Sequence, residues 1–465
     1  MAETLWTAQE IAAATGGRLL GDFVASGVSI DTRTVEPGDL FVALAGARDG
    51  HDFVAQAMAS GASGALVSRP TGGPAIEVAD TFKALETLGL AARARAENAR
   101  RGAVTGSVGK TSVTQAIRAG LLLAGHGHSS IKSYNNHIGV PLTLARMPRD
   151  TARAIFEVGM NHEGEITPLS NMVRPHVAAI TTVGPVHVEN FPDGEAGVAR
   201  AKAEIFAGMA PGGIAVLNAD NRWFEFLNGE ARNAGLEVRR YGSGQGCDAQ
   251  LVDFEPKAGS AVVRAFFKRK AIEFPILQTG AHWAPNSLAV LLMLEALGVD
   301  LELSLTAMAN FAPLEGRGAE RQVQLRNGAF TLVDESYNAN PISMEAALAS
   351  LGSRKPIGRR IVALTDMLEL GDKAAQFHAA LAGAVANASI DLVFCSGTLM
   401  KSLWDALPST RRGGYALSAV ELAPQVARAI EPGDLVMVKG SNGSNASAVT
   451  TALAALDLRS DGRVD

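Results

Sequence analysis

The sequence predicts an α/β protein of three domains, and three observations support this fold class. The chain has 465 residues, and domains average about 150 residues. Short apolar runs alternate with helical stretches in the middle of the chain, at 154–158 (AIFEV), 177–183 (VAAITTV) and 214–217 (IAVL). The alternation returns near the end, at 361–364 (IVAL), 392–396 (LVFCS) and 435–440 (LVMVKG). Strands that alternate with helices indicate βαβ units and mostly parallel sheets.

The first part of the chain mixes short strands with helices. The patterns predict helices at 10–14, 53–60 and 81–101, and strands at 40–44 and 65–67. The last of these helices, TFKALETLGLAARARAENARR, is long, charged and rich in alanine. Because a helix that is polar on most sides often bridges two domains, we place the first domain boundary near its end.

The second boundary follows a different pattern. Residues 251–277 predict antiparallel hairpins (LVDF, AVVRAFF, IEFPIL), and a helix is predicted at 285–297. The glycine- and proline-containing segment PLEGRG, at 313–318, then interrupts the regular elements. The predicted domains are therefore 1–98, 99–314 and 315–465.

Charge and cysteine content argue against several protein classes. The 42 basic and 47 acidic residues give a net charge of -5, whereas nucleic-acid-binding proteins usually carry a basic excess. Cys247 and Cys395 are far apart, which disfavours a disulfide scaffold or a structural zinc site. No basic region precedes an apolar run at the amino terminus, and the longest apolar stretch, 288–299, contains Glu295. We expect a cytoplasmic monomer that binds no nucleic acid and has no membrane-inserted segment.

The strongest local motif is TGSVGKTSV at 105–113, between a short predicted strand and a predicted helix. Its glycines allow backbone conformations that point amides at phosphate oxygens, and the amino terminus of the helix favours an anion. Lys110 would contact the β- and γ-phosphates, and Thr111 would place its hydroxyl on Mg²⁺. Val104 stands where the usual loop has glycine, so the loop is a shortened variant; the alternative is an ordinary glycine turn. The predicted nucleotide-binding residues are Gly106, Ser107, Val108, Gly109, Lys110, Thr111 and Ser112.

Three further residues have both a functional and a structural interpretation. Glu157 ends a predicted strand, where a carboxylate could hold Mg²⁺ or simply face water. His187 follows another buried strand, and because histidine is an uncommon Mg²⁺ ligand, a structural hydrogen bond is the alternative. Lys202 lies on a predicted helix, where a lysine is normally a solvated charge.

These motifs, in this order, resemble the Mur ligase family, the ATP-dependent amide ligases of bacterial wall-precursor synthesis. The resemblance implies that Lys110, Glu157, His187 and Lys202 are catalytic. It implies Mg²⁺ bound by Thr111, Glu157, His187 and, once carbamylated by CO₂, Lys202. It also implies a small α/β UDP-muramoyl-peptide-binding domain and a central P-loop ATPase domain with a mostly parallel sheet. A carboxyl-terminal Rossmann-like domain would close over ATP and bind the incoming dipeptide.

Longer segments resemble one member of that family, which joins D-alanyl-D-alanine to UDP-N-acetylmuramoyl-tripeptide. In DTRTVEPGDLFVALAGARDGHDF, at 31–53, Thr32 and Arg33 match the pair that contacts uridine. Further matching segments are YNNHIGVPLTL (134–144), NHEGEI (161–166), DESYNANPISMEAAL (334–348) and DMLELG (366–371). The sister ligase that adds a diamino acid usually carries DNPR, which this sequence lacks.

The resemblance gives further residues a role in binding. Asn286, in GAHWAPNSLAV, matches an adenine contact, and Arg317 matches a contact to the phosphates or ribose. Glu335, at a position where we expect aspartate, is also assigned to the ATP site. Asn136 and His162 are assigned to the muramoyl-peptide side.

The implied reaction phosphorylates the tripeptide carboxylate, and the amine of the dipeptide then attacks the acyl phosphate. Four alternatives remain open: the diamino-acid-adding ligase, a folate polyglutamylating ligase, a P-loop ATPase or switch without ligation, and a nucleotide-binding scaffold. The segment KGSNGSNASAV, at 439–449, departs from the family pattern KGSR…M…VV and leaves the dipeptide contacts open. The third residue of the tripeptide, lysine or diaminopimelate, is also left open.

Overall fold

The described part of the chain forms three main sheets and one small strand pair. The computed structural model describes residues 3–46, 48–131, 133–257 and 259–459. Ala47, which belongs to the segment at 31–53, lies outside these residues. So do residues 1–2 of the first predicted domain and residues 460–465 of the last one. Sheets flanked by helices confirm the predicted α/β class. No helix in the described ranges is long and apolar enough to cross a bilayer.

The amino-terminal part is a small sheet with three helices. Its elements are β1 (Trp6–Thr7), α1 (Ala8–Thr15), β2 (Arg18–Leu20), β3 (Val24–Ala25), β4 (Gly27–Ser29), β5 (Asp39–Val42), α2 (Val54–Ala59), β6 (Gly64–Val67), β7 (Ala75–Glu77) and α3 (Thr81–Arg95). The sheet order is β2-β7-β6-β5-β4, parallel except for β2, and β1 pairs with β3. The Asp80 side chain accepts hydrogen bonds from two amides of the first turn of α3 and so fixes the start of that helix.

The predicted helix at 81–101 is correct over 81–95 and wrong over its last six residues. The helix α3 ends at Arg95, and a strand, β8 (Arg100–Thr105), begins five residues later. Arg101 in that strand is buried, and its guanidinium donates to the carbonyl of Val173, 2.9 Å away. Because this arginine satisfies backbone carbonyls inside the protein, its charge gave a misleading indication of an exposed helix.

The central part is built on a nine-stranded sheet. After β8 its elements are α4 (Lys110–Leu123), β9 (Gly127–Ser129), α5 (Gly139–Ala145), β10 (Arg153–Glu157), α6 (Ile166–Val173), β11 (Val177–Ile180), α7 (Glu195–Ala203), β12 (Ile214–Asn218), α8 (Phe224–Asn233), β13 (Glu237–Gly242), β14 (Ala249–Lys257), β15 (Ser260–Phe267), β16 (Lys270–Ile276), α9 (Trp283–Ala296) and α10 (Leu301–Asn310). The order is β16-β15-β14-β13-β12-β11-β8-β10-β9. Strands β9 to β14 pair in parallel, and β14 to β16 form the predicted antiparallel hairpins.

Separate apolar cores cover the two faces of the central sheet. One contains α4 and α9, and the other contains residues of α5, α6 and α7. Helix α9 is apolar around its whole circumference, with every residue from Ser287 to Leu294 buried. A helix that is hydrophobic on all sides is buried in the protein interior, and α9 packs in the core against one face of the central sheet.

The carboxyl-terminal part is a six-stranded sheet. Its elements are β17 (Ala319–Leu325), β18 (Gly328–Glu335), α11 (Pro341–Gly352), β19 (Arg360–Thr365), α12 (Ala374–Asn387), β20 (Leu392–Ser396), α13 (Lys401–Ala406), β21 (Arg412–Ala416), α14 (Ala419–Ala429), β22 (Leu435–Lys439) and α15 (Ser447–Ala454). The order is β17-β18-β22-β19-β20-β21, parallel except for β17. The predicted domain limits fall in the connections between α3 and β8 and between α10 and β17.

Strand register places candidate site residues at the edges of two sheets. In the central sheet Glu157, the last residue of β10, pairs with Val104 of β8, immediately before the glycine-rich loop. In the carboxyl-terminal sheet Glu335 pairs with Lys439, and each ends its strand. Parallel α/β sheets bind ligands at the carboxyl ends of their strands, so both edges are candidate ligand sites.

Candidate active site

The glycine-rich loop between β8 and α4 is held against the segment that follows β11. Gly106 has a φ of 149°, and a Cβ there would lie 1.9 Å from Oγ1 of Thr181. The Thr181 hydroxyl donates to the carbonyl of Val108 at 2.5 Å. Ser107 donates to the carbonyl of Gly184 at 3.1 Å and accepts from its amide at 3.0 Å. The loop therefore has a fixed shape, and its first glycine is required by close approach.

Lys110 begins α4 and bends back over the loop. Its Nζ donates to the carbonyl of Gly106 at 2.7 Å. Burial lowers the pKa of Lys110, the nearby Glu157 opposes that shift, and Arg317 adds to it. A half-buried amine above the loop amides is placed to receive an anionic oxygen.

Glu157 is a buried carboxylate with one satisfied and one unsatisfied oxygen. The side chain is 2 % exposed, so the interpretation as a charge that faces water is wrong. Its Oε1 accepts from Ser133 Oγ and Asn135 Nδ2, each at 2.7 Å. Its Oε2 is buried without a hydrogen-bond partner. Buried polar atoms are normally paired, so this oxygen fits a cation that the protein chain does not supply.

Thr111 lies next to the same cluster. Its Oγ1 donates to Ser133 Oγ at 3.3 Å and accepts from Arg317 at 3.3 Å. Among the described residues, no three His, Cys, Asp or Glu side chains form a complete metal cage. Mg²⁺ is usually held by one or two carboxylates together with substrate phosphates, so a single carboxylate beside a phosphate loop fits this ion.

His187 lies in the loop after β11 and has a positive φ of 58°. Burial, followed by the charges of Lys110 and Lys202, lowers the pKa of His187 to about 4. The ring is therefore neutral near pH 7 and retains one lone pair for a ligand. Its Nδ1 lies 2.8 Å from Oε2 of Glu369, which belongs to the carboxyl-terminal part.

Lys202 sits near the end of α7 and is 2 % exposed, so the interpretation as a solvated charge is wrong. The structure gives it no hydrogen bond or ion pair with any described residue. Burial, and secondarily the charge of Lys110, lowers the pKa of Lys202 well below its usual range. Buried groups with shifted pKa values cluster at functional sites, which makes Lys202 a candidate functional residue.

A cavity of about 390 Å³ separates the two sheet edges. Eleven of the predicted site residues line it: Ser107, Val108, Gly109, Lys110, Thr111, Ser112, Glu157, His187, Asn286, Arg317 and Glu335. The carboxyl-terminal side is held by Lys439, whose Nζ lies 3.2 Å from Glu335 and donates to the carbonyl of Asn338 at 3.1 Å. The Arg317 guanidinium stacks 4.2 Å above the ring of Tyr337. Residues far apart in sequence thus share one cavity.

Six predicted site residues do not line this cavity. Two of them belong to the same neighbourhood: Gly106 forms the base of the loop, and Lys202 influences the pKa of His187. The remaining four are Thr32, Arg33, Asn136 and His162.

These four residues have other surroundings. Arg33 is exposed and pairs with Asp31 at 2.6 Å, in the segment after β4 that also contains Thr32. The Asn136 side chain accepts from the amide of Gly139, at the start of α5, and His162 lies 3.0 Å from Glu165. The structure therefore does not bring them to the phosphate loop.

Sequence reasoning missed several residues that line or shape the cavity. Ser133, Asn135 and Thr181 follow parallel strands of the central sheet, and Lys439 ends a strand of the other sheet. Their position after strand ends was a usable signal. Glu204 was also missed, although its carboxylate accepts from the amides of residues 164, 166 and 167 and so holds the start of α6.

The chain matches three protein-family models along its length. These are described as Mur ligase family, catalytic domain, at 24–91; Mur ligase middle domain, at 104–294; and Mur ligase, glutamate ligase domain, at 321–442. A UDP-N-acetylmuramoyl-tripeptide–D-alanyl-D-alanine ligase from Rickettsia prowazekii is 31 % identical over 447 residues, covering 94 % of this chain and 97 % of the relative. The chain belongs to the Mur ligase family. The Escherichia coli ligase of the same name is 35 % identical over 386 residues, covering 82 % and 83 % of the two chains.

Solved structures of Mur ligases share the fold. MurF from Acinetobacter baumannii matches with a TM-score of 0.85 and 29 % identity, covering 98 % of this chain and 99 % of that one. MurF from Thermotoga maritima, solved in complex with ADP, matches in fold with a TM-score of 0.77, at 23 % identity and 93 % and 98 % coverage. These matches confirm the predicted three-domain Mur ligase fold.

Proposed function

We propose that this Mur ligase joins D-alanyl-D-alanine to UDP-N-acetylmuramoyl-tripeptide, with conversion of ATP to ADP and phosphate. The observation that carries the proposal is the match over nearly the whole chain to ligases named for this reaction. The segment 334–348, with YNANPISM, supplies Glu335, Tyr337, Asn340 and Ser343 to the wall opposite the phosphate loop. The activity belongs to the bacterial cytoplasm, and we propose a monomer.

Amide formation from a carboxylate needs an activated acyl group, because a carboxylate is a poor electrophile. In the proposed reaction the tripeptide carboxylate attacks the γ-phosphate of ATP, and ADP leaves. The amine of the dipeptide then attacks the resulting acyl phosphate, and the tetrahedral intermediate loses phosphate. The loop amides of 106–112 and the Lys110 amine would hold the γ-phosphate in line, which is the main task of a phosphoryl-transfer site.

Glu157, Thr111 and His187 would hold Mg²⁺ at this site. The unpaired buried oxygen of Glu157 and the neutral ring of His187 support this assignment. When bound, Mg²⁺ neutralises charge that builds on the phosphoryl group. The protein's own contribution is a fixed carboxylate, since Ser133 and Asn135 hold Oε1 and leave Oε2 available.

Lys202 is proposed to carry a CO₂-derived carbamate. Carbamylation requires a neutral amine, and burial of Lys202 favours that form. The modified side chain would end in an anionic group that pairs with the positive charge around Lys110 or joins the metal ligands. The burial of Lys202 and the lack of a hydrogen-bond or ion-pair partner for its amine among the described residues support this role.

The remaining assignments follow the order of the chain. Residues 1–98, with Thr32 and Arg33, would bind the UDP-muramoyl end of the substrate, and Asn136 and His162 its peptide. Asn286, Arg317 and Glu335 would bind ATP. Residues 99–314 would carry the phosphate chemistry, and 315–465 would close over ATP and present the dipeptide. Exclusion of water from the acyl phosphate is the physical reason for such closure.

The decisive experiment measures phosphate release from ATP. We expect little release from ATP and Mg²⁺ alone, and much more when UDP-N-acetylmuramoyl-tripeptide and D-alanyl-D-alanine are both present. Tripeptides that end in lysine or in diaminopimelate, tested in parallel with single amino acids and other dipeptides, identify the substrates. Release that is independent of both peptides would indicate an ATPase, and stimulation by a diamino acid instead of the dipeptide would indicate the sister ligase.

A second experiment tests Lys202. Lys202→Ala is expected to abolish turnover, and short carboxylates added to the assay are expected to restore part of it. The exposed Lys401, which pairs with Asp405 and lies 5.9 Å from the ring centre of Tyr415, provides the matched control Lys401→Ala. Full activity of Lys202→Ala without added carboxylate would remove this residue from the mechanism.

A further inference from the structure

The segment 366–371 of the carboxyl-terminal part touches the central part beside the proposed metal site. Oε2 of Glu369 lies 2.8 Å from Nδ1 of His187. In the same contact, a Cβ on Gly371 would lie 2.9 Å from Cβ of Glu189, which follows His187 by two residues. Glu369 itself does not line the cavity, whereas His187 does. The Glu369 carboxylate can therefore affect the cavity only through its contact with the His187 imidazole.

Both partners of this contact are held in uncommon backbone conformations. His187 has a φ of 58° and Glu369 a φ of 61°, which places both in the left-handed region. A residue other than glycine adopts this region at a cost, and such positions cluster at functional sites. Here two such residues, one from the central part and one from the carboxyl-terminal part, are in contact with each other, which indicates a functional role.

The segment that carries Glu369 is well anchored. The amide of Met367 donates to Nε2 of His378 at 2.9 Å, and the amide of Leu368 donates to Oγ of Ser441 at 3.1 Å. Met367 and Leu370 are buried on either side of Glu369. The glutamate is thus presented outward from a rigid base, with its side chain 59 % exposed.

We propose that Glu369 is a positioning residue that acts through His187. A histidine that serves a metal site usually donates its second ring N–H to a carboxylate, which fixes the tautomer and the ring orientation. The two atoms form a close ion-pair contact here, and rotation of the exposed Glu369 carboxylate would let it accept that N–H and leave the Nε2 lone pair for the nucleotide-bound metal. The role rests on the proposed function, since it assigns Mg²⁺–nucleotide to the cavity.

The contact between Glu369 and His187 joins two parts of the chain. His187 belongs to the central part and Glu369 to the carboxyl-terminal part, so the ring is oriented only when the two parts are in contact. Binding of Mg²⁺–nucleotide and docking of the two parts then favour each other, because each ligand of a coupled pair strengthens the other.

The test compares the full-length chain with Glu369→Ala, Glu369→Gln and a control, Asp372→Ala. Asp372 lies in the same loop, is exposed, and has no side-chain partner among the described residues. Calorimetry measures binding of the non-hydrolysable analogue AMP-PNP across a Mg²⁺ titration. Glu369→Ala is expected to raise the Mg²⁺ concentration for half-maximal binding about tenfold, the usual effect of removing such a partner. Glu369→Gln, which keeps an acceptor oxygen, is expected to show a smaller shift, and Asp372→Ala none.

Ligase kinetics provide an independent readout. Glu369→Ala is expected to lower kcat and leave KM for the dipeptide unchanged, with a melting temperature equal to that of the unaltered chain. An unchanged Mg²⁺ requirement in Glu369→Ala would overturn the proposal, as would an equal shift in Asp372→Ala or a glutamine variant as impaired as the alanine variant. If the unaltered chain ligates nothing but the Mg²⁺ shift is observed, the proposed function fails and the positioning role stands.

Discussion

Replacing Lys202 with methionine is expected to stabilise the protein while it removes activity. Lys202 as a residue is 2 % exposed, and its amine has no hydrogen bond or ion pair with the described residues. A buried polar group without a partner costs about 1–3 kcal/mol, and methionine fills a similar volume without that cost. The free energy of unfolding at pH 7 should therefore rise by about 1–3 kcal/mol. Each kcal/mol corresponds to about 2–4 °C in melting temperature for a domain of this size.

The pH dependence distinguishes a buried amine from a general packing effect. Burial and Lys110 lower the pKa of Lys202 in the folded chain, whereas an unfolded lysine has a pKa of about 10.4. Between these two values the unfolded chain holds a proton that the folded chain lacks, so the stability of the unaltered protein rises with pH. Above about pH 10 both states are neutral and the difference disappears. The advantage of Lys202→Met should thus be largest at acidic pH and shrink towards pH 10.

Scanning calorimetry from pH 6 to pH 10, in buffer freed of CO₂, measures this directly. Lys401→Met is the control, because Lys401 is exposed and pairs with Asp405. Bicarbonate added with Mg²⁺ and AMP-PNP should raise the melting temperature of the unaltered chain more than that of Lys202→Met. A methionine variant that is less stable than the unaltered chain, or whose advantage grows with pH, would refute the reasoning.

Three other substitutions test separate parts of the structure. Gly106→Ala forces a Cβ to within 1.9 Å of Thr181, and strain of about 1–3 kcal/mol should weaken AMP-PNP binding roughly tenfold or more by calorimetry. Glu204→Ala leaves the first amides of α6 without acceptors and should lower the free energy of unfolding by about 1–3 kcal/mol in urea denaturation. Arg33→Ala should raise KM for the UDP-substrate at unchanged kcat, because the contact proposed for Arg33 would persist through the reaction.

Each substitution has a matched control in the chain. Gly229→Ala places a methyl where no atom lies within 4 Å and should leave AMP-PNP binding unchanged. Glu163→Ala removes an exposed carboxylate next to the turn that Glu204 holds, and Arg18→Ala removes an exposed arginine paired with Glu77. Normal nucleotide binding by Gly106→Ala, normal stability of Glu204→Ala, or a KM for Arg33→Ala equal to that of Arg18→Ala would each contradict the corresponding role.

The sequence was most informative where a local pattern determines local structure. Strands β10, β11 and β12 are apolar runs buried on both faces, and their pattern predicted them directly. The glycine-rich turn between β8 and α4 was also predictable, since Gly106, Gly109 and Lys110 lie within five consecutive residues. The helix at 81–101 was misjudged because Arg101 is buried against backbone carbonyls, and a charge of that kind carries no sign of its burial.

Burial of single polar residues was beyond sequence reasoning for a related reason. Lys202 and Glu157 each had a solvated interpretation, and only the packing of distant segments excludes it. Ser133 and Asn135, which orient Glu157, belong to a loop whose position depends on the pairing of β9 with β10. Such neighbours come together through tertiary contacts, and no spacing in the sequence encodes them.

The unsatisfied groups around the cavity, taken together, specify the ligand class. The amine of Lys202, which has no partner among the described residues, would be satisfied by an anion, whereas the unpaired oxygen of Glu157 would be satisfied by a cation. A bare polyphosphate would leave the carboxylate oxygen of Glu157 unpaired and place like charge next to it, and a bare metal ion would leave the amine of Lys202 unpaired. Only an anion with a bound cation satisfies both the amine and the carboxylate oxygen, because buried charged groups are stable at low cost only when they are paired. The unpaired groups of the folded chain therefore fit the Mg²⁺–nucleotide that the proposed function assigns to this cavity.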